Sequence, residues 1–214
     1  PTYSDAGIIP GAVFSATSTN AAMYGNQKVA VGAANTFFAL VTPTGPVLNF
    51  GSMIGFRPNN QPGTFAWVIG IWGCPTPPCV FVDDWRPSGY RGDTVEVDVP
   101  QIVVIRSRKE GARPVSEFAL VRVDDPTVTW SSSMFTEGLH EYDDQLSEPF
   151  DLDLRDPVAD GLHCFAAGFM ILGNWQIRAD MQFRGTIHHI ELYDSTLSDA
   201  QTEVVIGDML AVVA

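Results

Sequence analysis

Lysine is nearly missing from this chain: Lys28 and Lys109 are the only two, and arginine supplies the rest of its 12 basic groups against 25 acids. With a net charge of −13, a nucleic acid is a poor partner, because phosphate binding needs clustered Lys and Arg. An anionic membrane surface is disfavoured on the same ground. Long apolar runs are lacking too: none approaches the roughly 18 residues that span a bilayer. The first residues, Pro1 to Asp5, hold no basic stretch followed by an apolar one, so no signal peptide is expected here and no membrane insertion. Cysteine is scarce, at three. Cys74 and Cys79 bracket Pro-Thr-Pro-Pro, a spacing unlike zinc ligation but open to a short disulfide; Cys164 lies far off in an apolar run and reads as an inert core thiol.

Catalytic signatures are also wanting. There is no Gly-x-Ser-x-Gly elbow, no phosphate-cradling glycine loop, and none of His140, His163, His188 and His189 sits in a zinc-hydrolase motif. Arg91-Gly92-Asp93 matches an adhesion tripeptide, but three residues recur by chance. His188 and His189 are neighbours on an expected strand and should point to opposite faces, which would bar them from chelating one ion.

What is present is apolar and turn-rich. Hydrophobic residues make up 45%, with 19 Gly and 15 Pro, the mixture of many strands joined by turns. Residues 1–35 are small and polar and read as an extended N-terminal arm, with 36–214 the folded domain. Such an arm suits docking on a neighbouring subunit; the competing account folds it back as edge strands of its own domain. Strands are expected at 37–41, 53–56, 64–72, 95–99, 102–105, 118–123, 164–172, 175–179 and 185–193, with a short one at 128–130. The segment 73–92 reads as loop, and 131–160 as a long acidic surface excursion. A helix should start at Ser198, a good N-cap with Asp199 beside it, and Val204, Val205, Met209 and Val212 should form its apolar stripe.

The stretch from Phe183 to Gln201, FRGTIHHIELYDSTLSDAQ, resembles the closing signature of concanavalin A-like (laminin-G-like) domains. There, an apolar residue and Gly open the last strand, Tyr-Asp or Tyr-Asn closes it, and Leu-Ser-Asp-Ala leads into a short helix. Gly185, Ile187, Ile190, Tyr193, Leu197, Ser198, Asp199 and Ala200 match, and 169–173 looks like that family's preceding apolar strand. The family often has acids where His188 and His189 stand. The resemblance implies an all-β fold, a two-sheet antiparallel jelly-roll sandwich with a short C-terminal helix. That fold hosts lectins, glycosidases and viral structural proteins alike, so it does not choose a function.

Three candidate sites follow from the residues. Asp83, Asp84, Trp85 and Tyr90 could form a sugar-stacking platform with carboxylates for hydrogen bonding. Asp151, Asp153 and Asp156 are the oxygen donors Ca²⁺ prefers, although without an EF-hand's Gly and terminal Glu; otherwise no cofactor is expected. Glu96 and Asp98 look like the start of a glycosidase strand that carries acids on alternate residues, but Val99, Pro100 and Gln101 follow where a third acid is needed. The expectation is therefore no enzyme. The chain reads as a structural or interaction protein on a virion surface, namely a head-decoration (cement) or tail-surface component of a tailed phage. Its partners would be other virion subunits or its own copies. The alternative is a glycan-binding module of a secreted or cell-surface protein; a glycosidase comes last.

Overall fold

The computed structural model describes residues 2–4, 11–14, 23–29, 34–45, 51–57, 67–72, 79–83, 90–110, 113–130, 168–172 and 182–212. It is mostly β, with antiparallel pairing throughout and one helix among the described residues. The strands are β1 (Thr2–Ser4), β2 (Gly11–Phe14), β3 (Met23–Val29), β4 (Asn35–Pro43), β5 (Gly51–Arg57) and β6 (Trp67–Trp72). They continue with β7 (Cys79–Asp83), β8 (Tyr90–Thr94), β9 (Gln101–Glu110), β10 (Arg113–Arg122), β11 (Gly168–Leu172) and β12 (Gly185–Tyr193). The helix α1 spans Asp199–Ala211. One six-stranded sheet runs β1-β2-β12-β4-β9-β10 and the other β3-β11-β5-β6-β7-β8.

The centre of the first sheet is where β4 and β9 lie side by side, Phe38 opposite Val104 and Leu40 opposite Ile102. Alternate side chains take opposite faces. On one face Phe38, Leu40, Ile102, Val104, Ala119 and Val121 pack against Leu197, Val205, Ile206 and Met209 of the helical unit. On the other, Phe37, Ala39, Val41, Val103, Ile105 and Phe118 are equally buried, and Phe14 meets the Phe183 ring edge-on at 6.2 Å. Each fully buried Leu, Ile or Phe contributes about 1.5–3 kcal/mol. Both strands are thus core on both faces, which explains their unbroken apolar runs.

Helix α1 is started as its sequence requires. The Ser198 Oγ accepts from the Gln201 N–H (3.4 Å), and Gln201 Oε1 accepts from the Ser198 N–H (3.0 Å), a reciprocal capping box. Thr36 ties the turn before it to β4: its hydroxyl donates to the Ser195 carbonyl and accepts from the Leu197 N–H, both at 2.9 Å.

Several expectations are corrected. Residues 73–92 are not one loop: Val80-Phe81-Val82 forms the middle of β7, paired with β6, and β8 begins at Tyr90. Residues 95–99 are not a strand but a turn, with Asp98 at φ 64°. Its alternating pattern arises because Val95 is buried while Glu96 and Asp98 flank a reversal. Residues 128–130 form no strand; Val128 and Trp130 instead lie against the core under α1. The helix stripe is Thr202, Val205, Ile206 and Met209, whereas Val204 and Val212 are 63% and 62% exposed. At 100° per residue, 204 lies far round the helix from 202, 206 and 209.

The expected N-terminal arm contributes strands to both sheets. Within 1–35, β2 pairs with β12 and carries β1 at its edge, while β3 pairs with β11. The expected strand at 175–179, the excursion 131–160 and Cys164 lie outside the described residues.

Candidate functional site

The turn that holds Glu96 and Asp98 is fixed by one side chain. Gln101 Nε2 donates to the carbonyls of Glu96 (2.6 Å) and Val99 (3.0 Å), and its Oε1 accepts from the Glu96 N–H (3.1 Å). The Asp98 N–H donates to the Pro43 carbonyl at 2.7 Å, which anchors the turn to the end of β4. The Glu96 carboxylate is engaged by Arg122 Nη1. Arg122 also grips Asp124 with two parallel bonds of 2.8 Å, from Nε and Nη2. These bonds, that to Asp124 foremost, push the guanidinium pKa up and hold the Asp124 carboxyl below its ordinary value. Glu96 and Asp98 therefore do not stand side by side on a strand face as an acid pair.

A second cation, Arg106, sits where three elements meet. Its Nε donates to Glu117 Oε2 and its Nη1 to Asp199 Oδ1, both at 2.5 Å, and Nη1 reaches the Leu197 carbonyl at 3.4 Å. The guanidinium carbon lies 3.9 Å from the centroid of the Trp130 ring. Arg106 thus joins β9 and β10 to the start of α1 and to the residues after β10, and planar stacking on Trp suits Arg in a way Lys would not match.

The third arrangement is a polar row on β12. Ile187 pairs with Val41 and His189 with Leu40, so His188 is the extra residue of a bulge. The expectation that the two histidines point to opposite faces is corrected by this bulge. His188 Nε2 lies 2.8 Å from Thr42 Oγ1, two residues along from Leu40 on the helix-side face. His189 Nε2 lies 2.9 Å from Glu191 Oε1, and the Tyr193 hydroxyl donates to Glu191 Oε2 at 2.5 Å. His189, Glu191 and Tyr193 follow one another at alternate positions beside α1. The Tyr193 ring meets Phe38 edge-on at 5.8 Å.

The Tyr193 hydrogen bond lowers the Glu191 pKa, with His189 helping; the same bond, with burial, pushes Tyr193 up to about 12. A depressed carboxylate stabilises the fold above the ordinary Glu range and loses that contribution as the pH falls through its folded value. A raised phenol stabilises below its ordinary value and loses that as the pH climbs through the raised one. The melting advantage of the native chain over Tyr193→Phe should therefore be flat from about pH 5 to 10 and shrink on either side. Both groups are partly exposed, so its size should be about 1 kcal/mol. An advantage that grows above pH 10 would contradict the assignment.

The residues expected from sequence to form sites are placed as follows. Asp83 closes β7 and Tyr90 opens β8, and Val82 pairs with Tyr90, so backbone pairing brings Asp83 and Tyr90 to one end of a hairpin in the second sheet. Asp84 and Trp85, in the connection between them, lie outside the described residues, as do Asp151, Asp153 and Asp156. Cys79 opens β7 opposite Trp72, and Cys74 lies outside. Among the described residues, no three His, Cys, Asp or Glu side chains form a metal-holding group. The Arg106 junction and the 189–193 row were missed by sequence reasoning. The row had a signal, three polar residues at period two in the closing strand; Arg106 had none, since its partners are spread over β10, Trp130 and Asp199.

No family model and no curated protein matches the sequence. Solved structures do resemble the fold. A native heptameric SAP-like pentraxin from Limulus polyphemus aligns with a TM-score of 0.54 at 11% identity, over 92% of this chain and 79% of its own. The enzymatically active domain of tailspike protein 2 from bacteriophage CBA120 aligns with a TM-score of 0.52 at 10% identity, over 95% of this chain. This chain spans 28% of that tailspike domain. The CBM40 of Ruminococcus gnavus IT-sialidase bound to α2,3-sialyllactose aligns at 0.46 and 14% identity, over 88% of this chain and 99% of its own. At such identities the likenesses to the pentraxin and the tailspike domain bear on the fold alone.

Proposed function

We infer that the chain is a non-catalytic structural or interaction protein with a concanavalin A-like, two-sheet jelly-roll sandwich, displayed on a tailed-phage particle as a head-decoration or tail-surface component. The observation that carries the non-catalytic part is the turn at 95–100: the acid pair that resembled a glycosidase strand is bent away from any strand, with Glu96 held by Arg122. The sandwich is supported by β4 and β9, which are buried on both faces while α1 covers only one. Contact of β8 with β10, and the approach of Gly51 in β5 to the Phe183 backbone (a Cβ there would lie 3.6 Å from its Cα), support the same reading. The phage setting is supported by the chain's likeness in fold to a tailspike domain.

The same fold suits a glycan-binding module, and the hairpin ends at Asp83 and Tyr90 favour this second reading in one respect: they bring two members of the proposed platform together. Mass spectrometry of purified particles tests the first reading; the chain should be present at stoichiometric copy number. Its absence there, together with binding to immobilised glycans lost in Trp85→Ala, would favour the second. Incubation with β-glucans should release no reducing sugar, and Glu96→Gln should change nothing; release that vanishes in that variant would restore a glycosidase.

A further inference from the structure

The bulge in β12 puts side chains on a face where a regular strand would not. Without it His188 and His189 would part to opposite faces. With it, His188 reaches Thr42 at 2.8 Å and His189 stands opposite Leu40, both on the helix-side face. Gly11 of β2 makes room for this arrangement. A Cβ there would meet Thr186 Cγ2 at 2.5 Å, the Ile187 carbonyl oxygen at 2.8 Å and His188 Nδ1 at 2.9 Å. His189 keeps 43% of its side chain in solvent, so the strip is open. Its charged neighbours are few. Glu191 is one hydrogen bond away, and Asp208 of α1 is felt at Tyr193. Neither Gly11–Phe14 nor Asn35–Pro43, the strands on either side, holds a titratable side chain. Arg184 and Asp194 flank the ends of β12. From Gly185 onward there are five acids and no Lys or Arg, so in this strand and helix only histidine can supply positive charge.

Beside this strip, on the same side of the sheet, α1 stands as a ridge. Diametrically opposite its buried stripe, Ala200, Val204, Gly207 and Ala211 line up at helical spacing, all exposed. Glu203 flanks the crest on one side and Asp208 on the other. A Cβ on Gly207 would meet nothing within 4 Å, so another backbone can approach closely there. Each copy thus carries an acid-flanked ridge next to a histidine-bearing strip that the ridge leaves uncovered. Two patches side by side on one face can serve both partners at once, because a two-fold axis sets each ridge on the other copy's strip. Val13, opposite Thr186 on the helix-side face, is half-buried and offers Val204 an apolar surface. An apolar centre with a charged rim is the anatomy of a protein contact, and complementary charge sets its partner and orientation.

We propose that two copies of the chain dock across a two-fold axis, the acid-flanked outer face of α1 of each on the His188–His189 strip of the other, and that protonation of these histidines gates the contact. It rests on the reading above only in taking the chain's own copies as partners, and names the surfaces they use. Histidine changes charge between about pH 5 and 8. With both imidazoles neutral, the strip carries Glu191 alone and repels Glu203 and Asp208. With both protonated, two positive charges stand against one negative. Glu191 stays ionised through this range, because the Tyr193 hydroxyl and His189 hold its carboxyl below the usual carboxylate value. The docked pair therefore binds more protons than the separate copies, and association strengthens as the pH falls. A single such contact is small and screened by salt, so it should be weak alone and should accumulate where many copies are held together.

Analytical ultracentrifugation of the full chain tests it. At about pH 5.5 and low ionic strength the weight-average mass should rise with concentration to the dimer and stop there, since a two-fold contact closes on itself. At about pH 8, or in about 1 M salt where the Debye length is about 3 Å, association should be at least about tenfold weaker. The sequence pI is about 4.4, so the chain as a whole is still anionic at the lower pH. His189→Gln, and separately Glu203→Lys with Asp208→Lys, should each remove the rise on acidification. His189→Arg, which fixes the charge, should associate at both pH values. Circular dichroism checks that each variant is folded; should His189→Gln not fold, the helix variant and the salt series decide alone. A native chain that stays monomeric at about pH 5.5 would overturn the proposal. So would acidification that strengthens association equally in His189→Gln, since lower net repulsion would then be the whole cause, or a mass that climbs past the dimer. Presence in particles is measured separately, so a chain found in virions but monomeric here would sink this contact and leave the functional reading standing.

Discussion

Gly185→Ala should unfold the chain or lower its stability by about 3 kcal/mol or more, the largest effect of any single methyl group in the described structure. Gly185 opens β12 with φ at +140°, a region that L side chains rarely adopt. A Cβ there would run into the Thr42 carbonyl oxygen and stand 2.8 Å from the Pro43 Cα and 3.0 Å from the Phe183 ring. Two of those three obstacles are backbone of β4, the strand at the centre of the core, so rotation of a side chain cannot relieve them. Gly11→Ala supplies a comparison without the dihedral: its Cβ would lie 2.5 Å from Thr186 Cγ2 and 2.8 Å from the Ile187 carbonyl oxygen. It should cost less, since the Thr186 methyl can shift. Gly207→Ala, in open space within α1, should instead stabilise by about 0.5–1 kcal/mol. Urea denaturation of the three variants gives the order directly; a Gly185→Ala chain as stable as the native one would mean that β12 enters the sheet differently.

That glycine also shows why the C-terminal part of the fold was legible in the sequence. Gly185, Tyr193 and Ser198 each meet a local demand: a backbone that must pass close to another, a ring that packs at the rim with its hydroxyl bonded, and a helix start. Local demands leave local signatures, and the strand at 185–193 and the helix after Ser198 were read to within a residue or two. The apolar runs 37–41 of β4 and 102–105 of β9 were legible for a related reason, because burial on both faces favours apolar side chains there. The misreadings come from contacts between distant segments. The 95–99 pattern alternates like a strand, yet the Gln101 side chain and the Pro43 carbonyl turn it. The period-two rule for His188 and His189 fails because a bulge, set by pairing with β4, inserts one residue. Arg106 gathers Glu117, Trp130 and Asp199, partners spread over more than eighty positions, and nothing near it in sequence announces them. The candidate sites were the least legible, since platform and ion-binding residues were chosen by type alone, and of these only Asp83 and Tyr90 are brought together by the described backbone.

Deletion of residues 1–20 should lower the melting temperature by roughly 10 °C or more, or prevent folding. The composition of this segment suits an arm held by a neighbour, and that reading expects a truncated chain that melts almost normally but no longer assembles. Pairing argues otherwise. β2 supplies the outer partner of β12: Phe14 lies opposite Gly185, Val13 opposite Thr186 and Ala12 opposite Ile187. Phe14 is 1% exposed, and its ring packs edge-on against Phe183. Loss of a buried Phe side chain alone costs about 3–5 kcal/mol, and the deletion also strips the ladder bonds from one side of β12 where it begins. In a domain of this size each kcal/mol is worth about 2–4 °C. Phe14→Ala in the full chain separates the two terms: it removes the ring and keeps the backbone pairing, so it should melt between the native and truncated chains. Thermal unfolding followed by circular dichroism reads all three. A truncated chain within a few degrees of the native one would mean that β1 and β2 add little to the sheet, and the segment would then be available to dock on a neighbouring subunit.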